Sequence, residues 1–469
     1  MVELRVTMNT GAEAVLGEVV VEAFRASLRG QLLRAGDAGY DEARTIWNAM
    51  IDRRPALIAR CAGAADVITA VNFARDNSLL VSVRGGGHNV AGFAVCDGGL
   101  MIDLSRMKGL RVDPARRTAR AEPGVTWAEF DRETQAFGLA TTGGFVPTTG
   151  IAGLTLGGGL GYLMRRFGLA CDNLLSIDIV TADGQLRTAS TTENQDLFWG
   201  VRGGGGNFGI VTSLAYRLHP VGPTVLGGVI MHPLPAAKAV LQFYREFTPT
   251  APDELTTYFA LAPSPDGNLV VAFIVCYSGP MEQGEGVIRP LRAFGSPVAD
   301  MVGPTPYTAV QGLGGELLPP GRLNYWKSSF IYELSDKAIN TMVAQFEQAP
   351  SPLCQAGLEH LGGAVSRIGK DDTAFSERSA PYSLIIAPAW TNTAENDKHI
   401  QWTRGFWEAM RPYESEAAYV NYLDADEPDR IRAAYGGKYE RLVVLKNKYD
   451  PTNLFRLNQN IKPTLTAKQ

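Results

Sequence analysis

Residues 81–97, VSVRGGGHNVAGFAVCD, concentrate groups that could do chemistry. A short apolar run ends at Val83 and meets Arg84, then Gly85, Gly86 and Gly87, then His88 and Asn89. Three consecutive glycines remove every Cβ from a turn, so successive backbone N–H groups can converge on an anion such as a pyrophosphate. His88 follows on the same turn, where its imidazole stands beside whatever the glycines hold. A second dense stretch, residues 142–161 (TGGFVPTTGIAGLTLGGGLG), has eight glycines between Gly143 and Gly161. Backbone that free is costly to order and is kept where chain passes closely over a flat ligand. Its interleaved Ile151, Leu154, Leu156 and Leu160 read as buried, which argues against a loose surface loop. A third cluster, residues 203–209 (GGGGNFG), matches G-x-G-x-x-G at Gly204, Gly206 and Gly209. A nicotinamide-binding site requires that motif to follow a strand and open a helix. Here it runs into IVTSLAYRL, which alternates like a strand, and that reading fails.

Composition narrows the classes. A chain of 469 residues, 45% of them hydrophobic, can bury a large core and predicts two or three domains. With 44 basic against 48 acidic residues and no basic block, nucleic acid is excluded as a partner. Cys61, Cys96, Cys171, Cys276 and Cys354 form an odd, scattered set without a CxxC pair, which predicts reduced thiols and a cytoplasmic location. Five histidines without HExxH spacing speak against a metal site. Residues 1–15 show no basic segment ahead of an apolar core, and no uninterrupted run reaches membrane-spanning length. The expectation is a soluble, unexported protein with no membrane partner.

The elements that position these clusters follow from apolar periodicity. Residues 23–33 carry an amphipathic helical pattern, and residues 64–77 suit a helix with one buried face. Residues 79–83 then read as a buried strand that presents the first glycine turn. Strands follow over 100–104 and 118–121, a helix over 125–138, a strand over 176–181 and a hairpin at Asp183-Gly184. Near residues 220–223 the glycine clusters thin out. Strand-like runs at 256–261, 269–277, 325–332 and 383–388 then alternate with helical ones at 236–247 and 336–347. That pattern suits an antiparallel sheet covered by helices. The tail after residue 419 ends in a helix over 438–449, stopped by Asp450-Pro451, and is too short to bury itself. It is expected to return to the N-terminal part.

The three glycine clusters, in this order and with this tail, resemble the berberine bridge enzyme-like flavoproteins. The resemblance spans the whole chain: R-GGG-H at 84–88, GGGLGYLMRRFGLACDNL at 157–174, DLFWGVRGGGGNFGIVT at 196–212, YVNY at 419–422 and KYDPTNLFRLNQNI at 448–461. It implies an α+β fold with a two-part FAD-binding domain of vanillyl-alcohol oxidase type, plus a substrate domain with an antiparallel sheet covered by helices. The divisions would be 1–219 and 413–469 for FAD and 220–412 for substrate. His88 matches the histidine bonded covalently to the 8α carbon of FAD. The backbone after Arg84, through Gly85, Gly86, Gly87 and Asn89, would hold the pyrophosphate. Gly150, Gly153, Gly157, Gly159 and Gly161 would run along the cofactor, with Ile210 at its adenine end. Asn421 and Asn458 would lie near the isoalloxazine ring. Tyr422 matches the tyrosine that serves as catalytic base. Many members carry a cysteine that forms a second bond to the flavin, in a G-x-C-P-T segment. Val146 stands there in this chain, so attachment through His88 alone is implied, and Cys171 reads as a structural thiol. Thr149 occupies the position of an oxygen gate and is valine-sized but polar.

The activity implied is hydride transfer from a small-molecule alcohol, sugar or natural product to flavin N5, with O2 as acceptor and H2O2 as product. A dehydrogenase with another acceptor is the alternative, and a non-catalytic flavin carrier a third; the substrate and oligomeric state are left open. A tyrosine of ordinary pKa near 10 works as a base only if a positive or hydrogen-bonding neighbour draws its proton away. Tyr258, Lys327, Tyr332, Glu359 and Trp390 fall on strand-like segments that could line a pocket over the ring, each with packing or surface as the plainer alternative. His360 is a weaker candidate beside Glu359.

Overall fold

A computed structural model describes residues 4–264 and 266–464. The N-terminal part holds a four-stranded sheet in the order Gln31–Leu33, Leu57–Arg60, Leu100–Asp103, Val81–Arg84. The last three strands run parallel. The helix Ala64–Asp76 connects two of them and buries Val67, Ala70, Val71 and Ala74, which share one face at helical spacing. Glycine-rich chain therefore leaves the carboxyl end of a parallel strand, the place where open α/β sheets bind ligands. The helix expected over 23–33 is displaced toward the N-terminus. It covers Glu18–Ser27, and Gln31–Leu33 is a strand. Asp66 accepts hydrogen bonds from the backbone N–H groups of Arg29 and Gly30, and pulls the chain out of helical geometry.

A second sheet is antiparallel, in the order Leu186–Ser190, Leu174–Val180, Ile210–Arg217, Thr118–Ala121, Leu110–Asp113. Beside it the helices Gln195–Gly200 and Tyr439–Tyr449 share a core through Leu197, Phe198, Leu442 and Leu445. The tail thus packs on N-terminal chain. Lys446 fixes its course, donating to Asp450 and to the carbonyls of Asn207 and Phe455.

The third sheet contains Thr224–Pro233, Leu269–Tyr277, Leu255–Pro263, Gln355–His360, Tyr382–Ala387 and Lys327–Ile331, in that spatial order and all antiparallel. Thr224–Pro233 and Gln355–His360 lie outside the expected strand-like runs; in the first, Gly227 and Gly228 break the apolar pattern. Helices Ala237–Phe247, Met281–Ala293, Asp336–Phe346 and Asn396–Met410 cover one face, and share a core with Phe259, Phe273, Leu358 and Leu384. The alternate residues, Tyr258, Ile274, Glu359 and Ile385, face the other way, into a cavity. Both faces are buried, which is why the strands read as continuous apolar runs.

Candidate active site

The cavity is lined by residues from all three sheets and from the tail. Gly85, Gly86, Gly87, His88, Asn89, Val146, Thr149, Gly150, Gly153, Ile210, Asn421, Tyr422 and Asn458 all line it. In the sequence they stand in separate clusters, which only the family resemblance gathers around one cofactor. The first two clusters cross backbone to backbone, since a Cβ on Gly86 would lie 2.4 Å from the nitrogen of Gly150. No side chain fits at that crossing. The N–H groups of Gly86, Gly87, His88 and Asn89 donate to nothing among the described residues. Four consecutive free donors on a turn are the arrangement that binds a pyrophosphate. Asn458 Oδ1 is buried without a partner at the same cavity. These groups fit a dinucleotide of the FAD kind.

His88 stacks on Trp47 with ring centroids 4.5 Å apart, and its Nε2 lies 3.0 Å from Thr148 Oγ1. Burial without a counter-charge pushes its pKa down to about 3 and keeps the ring neutral. Trp47 carried no signal beyond being a tryptophan in a loop, and only the fold brings it to His88. Val146 is buried in the lining, which contains no cysteine. Cys171 is buried elsewhere, with Sγ 3.6 Å from Asp172, and burial raises its thiol well above the ordinary range.

Four expected contacts lie outside the lining. Arg84 turns beneath the glycine turn and donates to the Ala43 carbonyl. Gly157, Gly159 and Gly161 are bare because a Cβ would strike the Asn421 side chain, the Ala170 methyl and the Gly143 carbonyl respectively. They let chain pack on chain beside the cavity.

Of the pocket candidates, Tyr258 and Glu359 line the cavity. Lys327 is buried in ion pairs with Asp426 and Glu427, Tyr332 bonds Glu377 at the surface, and Trp390 stacks on His399. His360 follows Glu359 on the strand and so points to the opposite face, where its Nε2 meets Arg165 at 2.9 Å. Trp326, Gln355 and Ile385 join the lining without having been singled out.

Tyr422 donates its hydroxyl hydrogen to Glu359 Oε1 at 2.6 Å. Its neighbour is a carboxylate, not a cation. Burial and then the charge of Glu359 hold the phenol well above its usual range. Burial raises Glu359 itself to about 7, against the lowering effect of Tyr422 and of Ser383, its cross-strand neighbour. The pair can take up a proton in concert: Tyr422 accepts one at its oxygen as it releases its own to Glu359. A free phenolate is not required.

Comparison with known proteins agrees with this geometry. Residues 55–190 match the FAD binding domain family, and residues 418–462 match the family described as berberine and berberine like. An FAD-linked oxidoreductase of Dictyostelium discoideum is 35% identical over 95% of this chain and 97% of its own. The chain belongs to the berberine bridge enzyme-like FAD-linked oxidoreductases. Another relative, the (R)-6-hydroxynicotine oxidase of Paenarthrobacter nicotinovorans, is 30% identical over 93% of this chain and 97% of its own. The crystal structure of 6-hydroxy-D-nicotine oxidase from Arthrobacter nicotinovorans superposes with a TM-score of 0.86 at 29% identity, covering 93% of this chain and 98% of that one. BBE-like 1 of Physcomitrella patens gives 0.87 at 25% identity, covering 95% and 100%. As a berberine bridge enzyme-like protein this chain is an FAD enzyme. Among its described residues, no helix is long and apolar enough to cross a membrane.

Proposed function

We propose that the protein is an FAD-linked oxidase of a small molecule, acting on a C–H bond beside a proton-bearing heteroatom. The observation that carries this reading is the Tyr422–Glu359 hydrogen bond within a cavity that also presents the free N–H donors and His88. Bound FAD would supply the two-electron acceptor, taking a hydride at N5 and returning electrons to O2 as H2O2. Gly86, Gly87, His88 and Asn89 would hold the pyrophosphate, Ile210 the adenine end, and Asn421 and Asn458 the ring end. Residues 1–219 and 413–469 would form the cofactor unit and 220–412 the substrate unit. Tyr422 would take the heteroatom proton and pass its own to Glu359. Rapid bleaching of the yellow protein by substrate without oxygen, followed by stoichiometric peroxide on aeration, is the expected result. Bleaching reversed only by an artificial dye, with no peroxide, would assign a dehydrogenase instead.

The flavin would be attached through His88 alone, a reading supported by its neutral ring and by a lining without cysteine. Acid-precipitated protein should stay yellow, and His88→Ala should release its flavin under the same treatment. A cysteinyl flavin in peptide maps would reject this. Thr149 lines the cavity beside the Gly86–Gly150 crossing, as an oxygen gate would. Thr149→Leu is expected to slow reoxidation by O2 in stopped flow and to leave reduction by substrate nearly intact. Equal reoxidation rates in variant and parent would remove the gate.

A further inference from the structure

The strand Lys327–Ile331 is the last of the large sheet, and residues 415–430 cover its outer edge. The backbone N–H of Ser415 donates to the Phe330 carbonyl at 2.8 Å, and the Arg430 guanidinium donates to the Ser328 carbonyl at 2.8 Å. An edge left bare would present unpaired backbone groups to other chains. Just before this strand, Trp326 lines the cavity and stands edge-on to Tyr422, with ring centroids 5.6 Å apart. Lys327, next in the chain, points to the opposite face. Its Nζ lies 5.7 Å from the ring centre of Trp407, on the covering helix Asn396–Met410. There the buried ammonium meets Asp426 Oδ1 at 2.8 Å and Glu427 Oε1 at 3.1 Å. Tyr325 and Arg404 also donate to Asp426, and Arg430 to Glu427; of these donors Lys327 alone bonds both carboxylates. Burial opposes ionisation of Asp426, yet its bonds from Lys327, Tyr325 and Arg404 hold the carboxyl down to about 2.

We infer that Lys327 is a positioning residue, which keeps Tyr422 against Glu359 by pinning the tail to the edge of the large sheet. The inference rests on the reading above of Tyr422 as the group that takes the substrate proton. Tyr422 and Glu359 belong to different parts of the molecule. Glu359 rides on the sheet strand Gln355–His360. Tyr422 rides with the cofactor side, because Leu423 beside it is buried in the core that holds Leu197 and Leu442. The Leu423 carbonyl accepts from Gln459, and the Tyr419 hydroxyl accepts from the Gly159 N–H. The 2.6 Å contact between Tyr422 and Glu359 therefore depends on what fastens tail to sheet. Lys327 is a buried fastener at that place: Trp326 joins it to the ring of Tyr422, and its two acids follow Tyr422 by four and five residues. Removing one partner of a buried pair is costly because the carboxylate stays buried without its counter-charge. Without Lys327, Asp426 would keep Tyr325 and Arg404, whereas Glu427 would keep only Arg430, which belongs to the tail itself. The sheet edge would part from the tail, and the Tyr422–Glu359 contact would open with neither residue altered.

The test places 3-fluorotyrosine at position 422 of the flavin-loaded enzyme and reads its fluorine NMR resonance, which responds to the hydrogen bond at the adjacent hydroxyl. Glu359→Ala supplies the resonance of this tyrosine without its carboxylate partner. Lys327→Met keeps most of the side chain and removes the charge. It should move the resonance most of the way toward that reference while the protein keeps its flavin. Lys327→Arg retains the charge and should stay near the parental position. Glu427→Gln should shift the resonance in the same direction by less, and it decides the matter if Lys327→Met does not fold. A parental resonance in Lys327→Met, or in Glu427→Gln where that variant alone folds, would overturn the inference even with a lowered Tm, since Lys327 would then add only stability. Equal displacement in Lys327→Arg and Lys327→Met would overturn it too, because packing and not charge would be responsible. A Glu359→Ala resonance equal to the parent's would leave no contact for Lys327 to hold. The resonance reports the contact whatever the reaction is. A displaced resonance in Lys327→Met beside a parental rate in Tyr422→Phe would keep Lys327 as support of the contact and reject Tyr422 as the base.

Discussion

At the residue scale, the decisive contact joins Tyr422 to a buried carboxylate. Under the proposed mechanism two protons compete there: the one Tyr422 shares with Glu359, and the one the substrate must lose. With Glu359 raised to about 7 by burial, the relay is open only to the ionised fraction. Reduction of the flavin by substrate should therefore rise about tenfold per pH unit below 7 and level off above it. Glu359→Gln should flatten that profile. Tyr422→Phe should keep flavin content and slow reduction by roughly 10²–10⁴-fold; a parental rate in this variant would hand the proton to another group. Stability carries the opposite sign. Glu359 holds its proton more tightly when folded than its ordinary value near 4.5 allows unfolded. Its contribution is thus intact below 4.5 and lost as pH rises toward 7, by about 3 kcal/mol for this shift.

At the element scale, two glycine-rich loops from different sheets make one binding surface because neither carries side chains where they meet. Gly86 and Gly150 approach so closely that each would have its Cβ inside the backbone of the other. Gly86→Ala must push the loop bearing Val146, Thr148 and Thr149 away from the turn bearing His88. Overpacking of this kind costs about 1–3 kcal/mol, and here the displacement falls on the proposed cofactor cradle. The variant should purify with markedly less flavin and a Tm several degrees lower. Full flavin content at parental Tm would show that the crossing is not required.

At the scale of the whole molecule, the cavity exists only where N-terminal chain is held against the large sheet. Arg165, 5% exposed, is one fastener. From the helix Met164–Phe167 it donates to the carbonyls of Ala251, Leu255 and Leu361 and reaches His360 Nε2. Burial lowers its pKa, and no carboxylate bonds it directly. Arg165→Leu would leave those acceptors buried and unpaired at about 1–3 kcal/mol each. Thermal unfolding is expected well below the parent, with the flavin spectrum of the folded fraction preserved. A Tm within a degree or so of the parent would mean that water replaces the guanidinium at no cost.

Local patterns in the chain determined most of the scaffold. Helices such as Ala64–Asp76 and strands such as Leu269–Tyr277 follow from apolar spacing over a few turns, information that lies entirely in neighbouring residues. The glycine clusters likewise marked the lining of the cavity, because bare backbone is tolerated for few reasons. Pairing across the fold was a different matter. Trp47 beneath His88, Glu359 against Tyr422 and Gly86 across Gly150 join residues 41, 63 and 64 positions apart in sequence. Which partner each meets depends on sheet register: shifting Gln355–His360 by one residue would send His360 into the cavity and Glu359 toward Arg165. The sequence therefore singled out Tyr422 through its family motif. Only the tertiary structure decided that its neighbour is a carboxylate, because burial and register, set by the whole sheet, choose that neighbour.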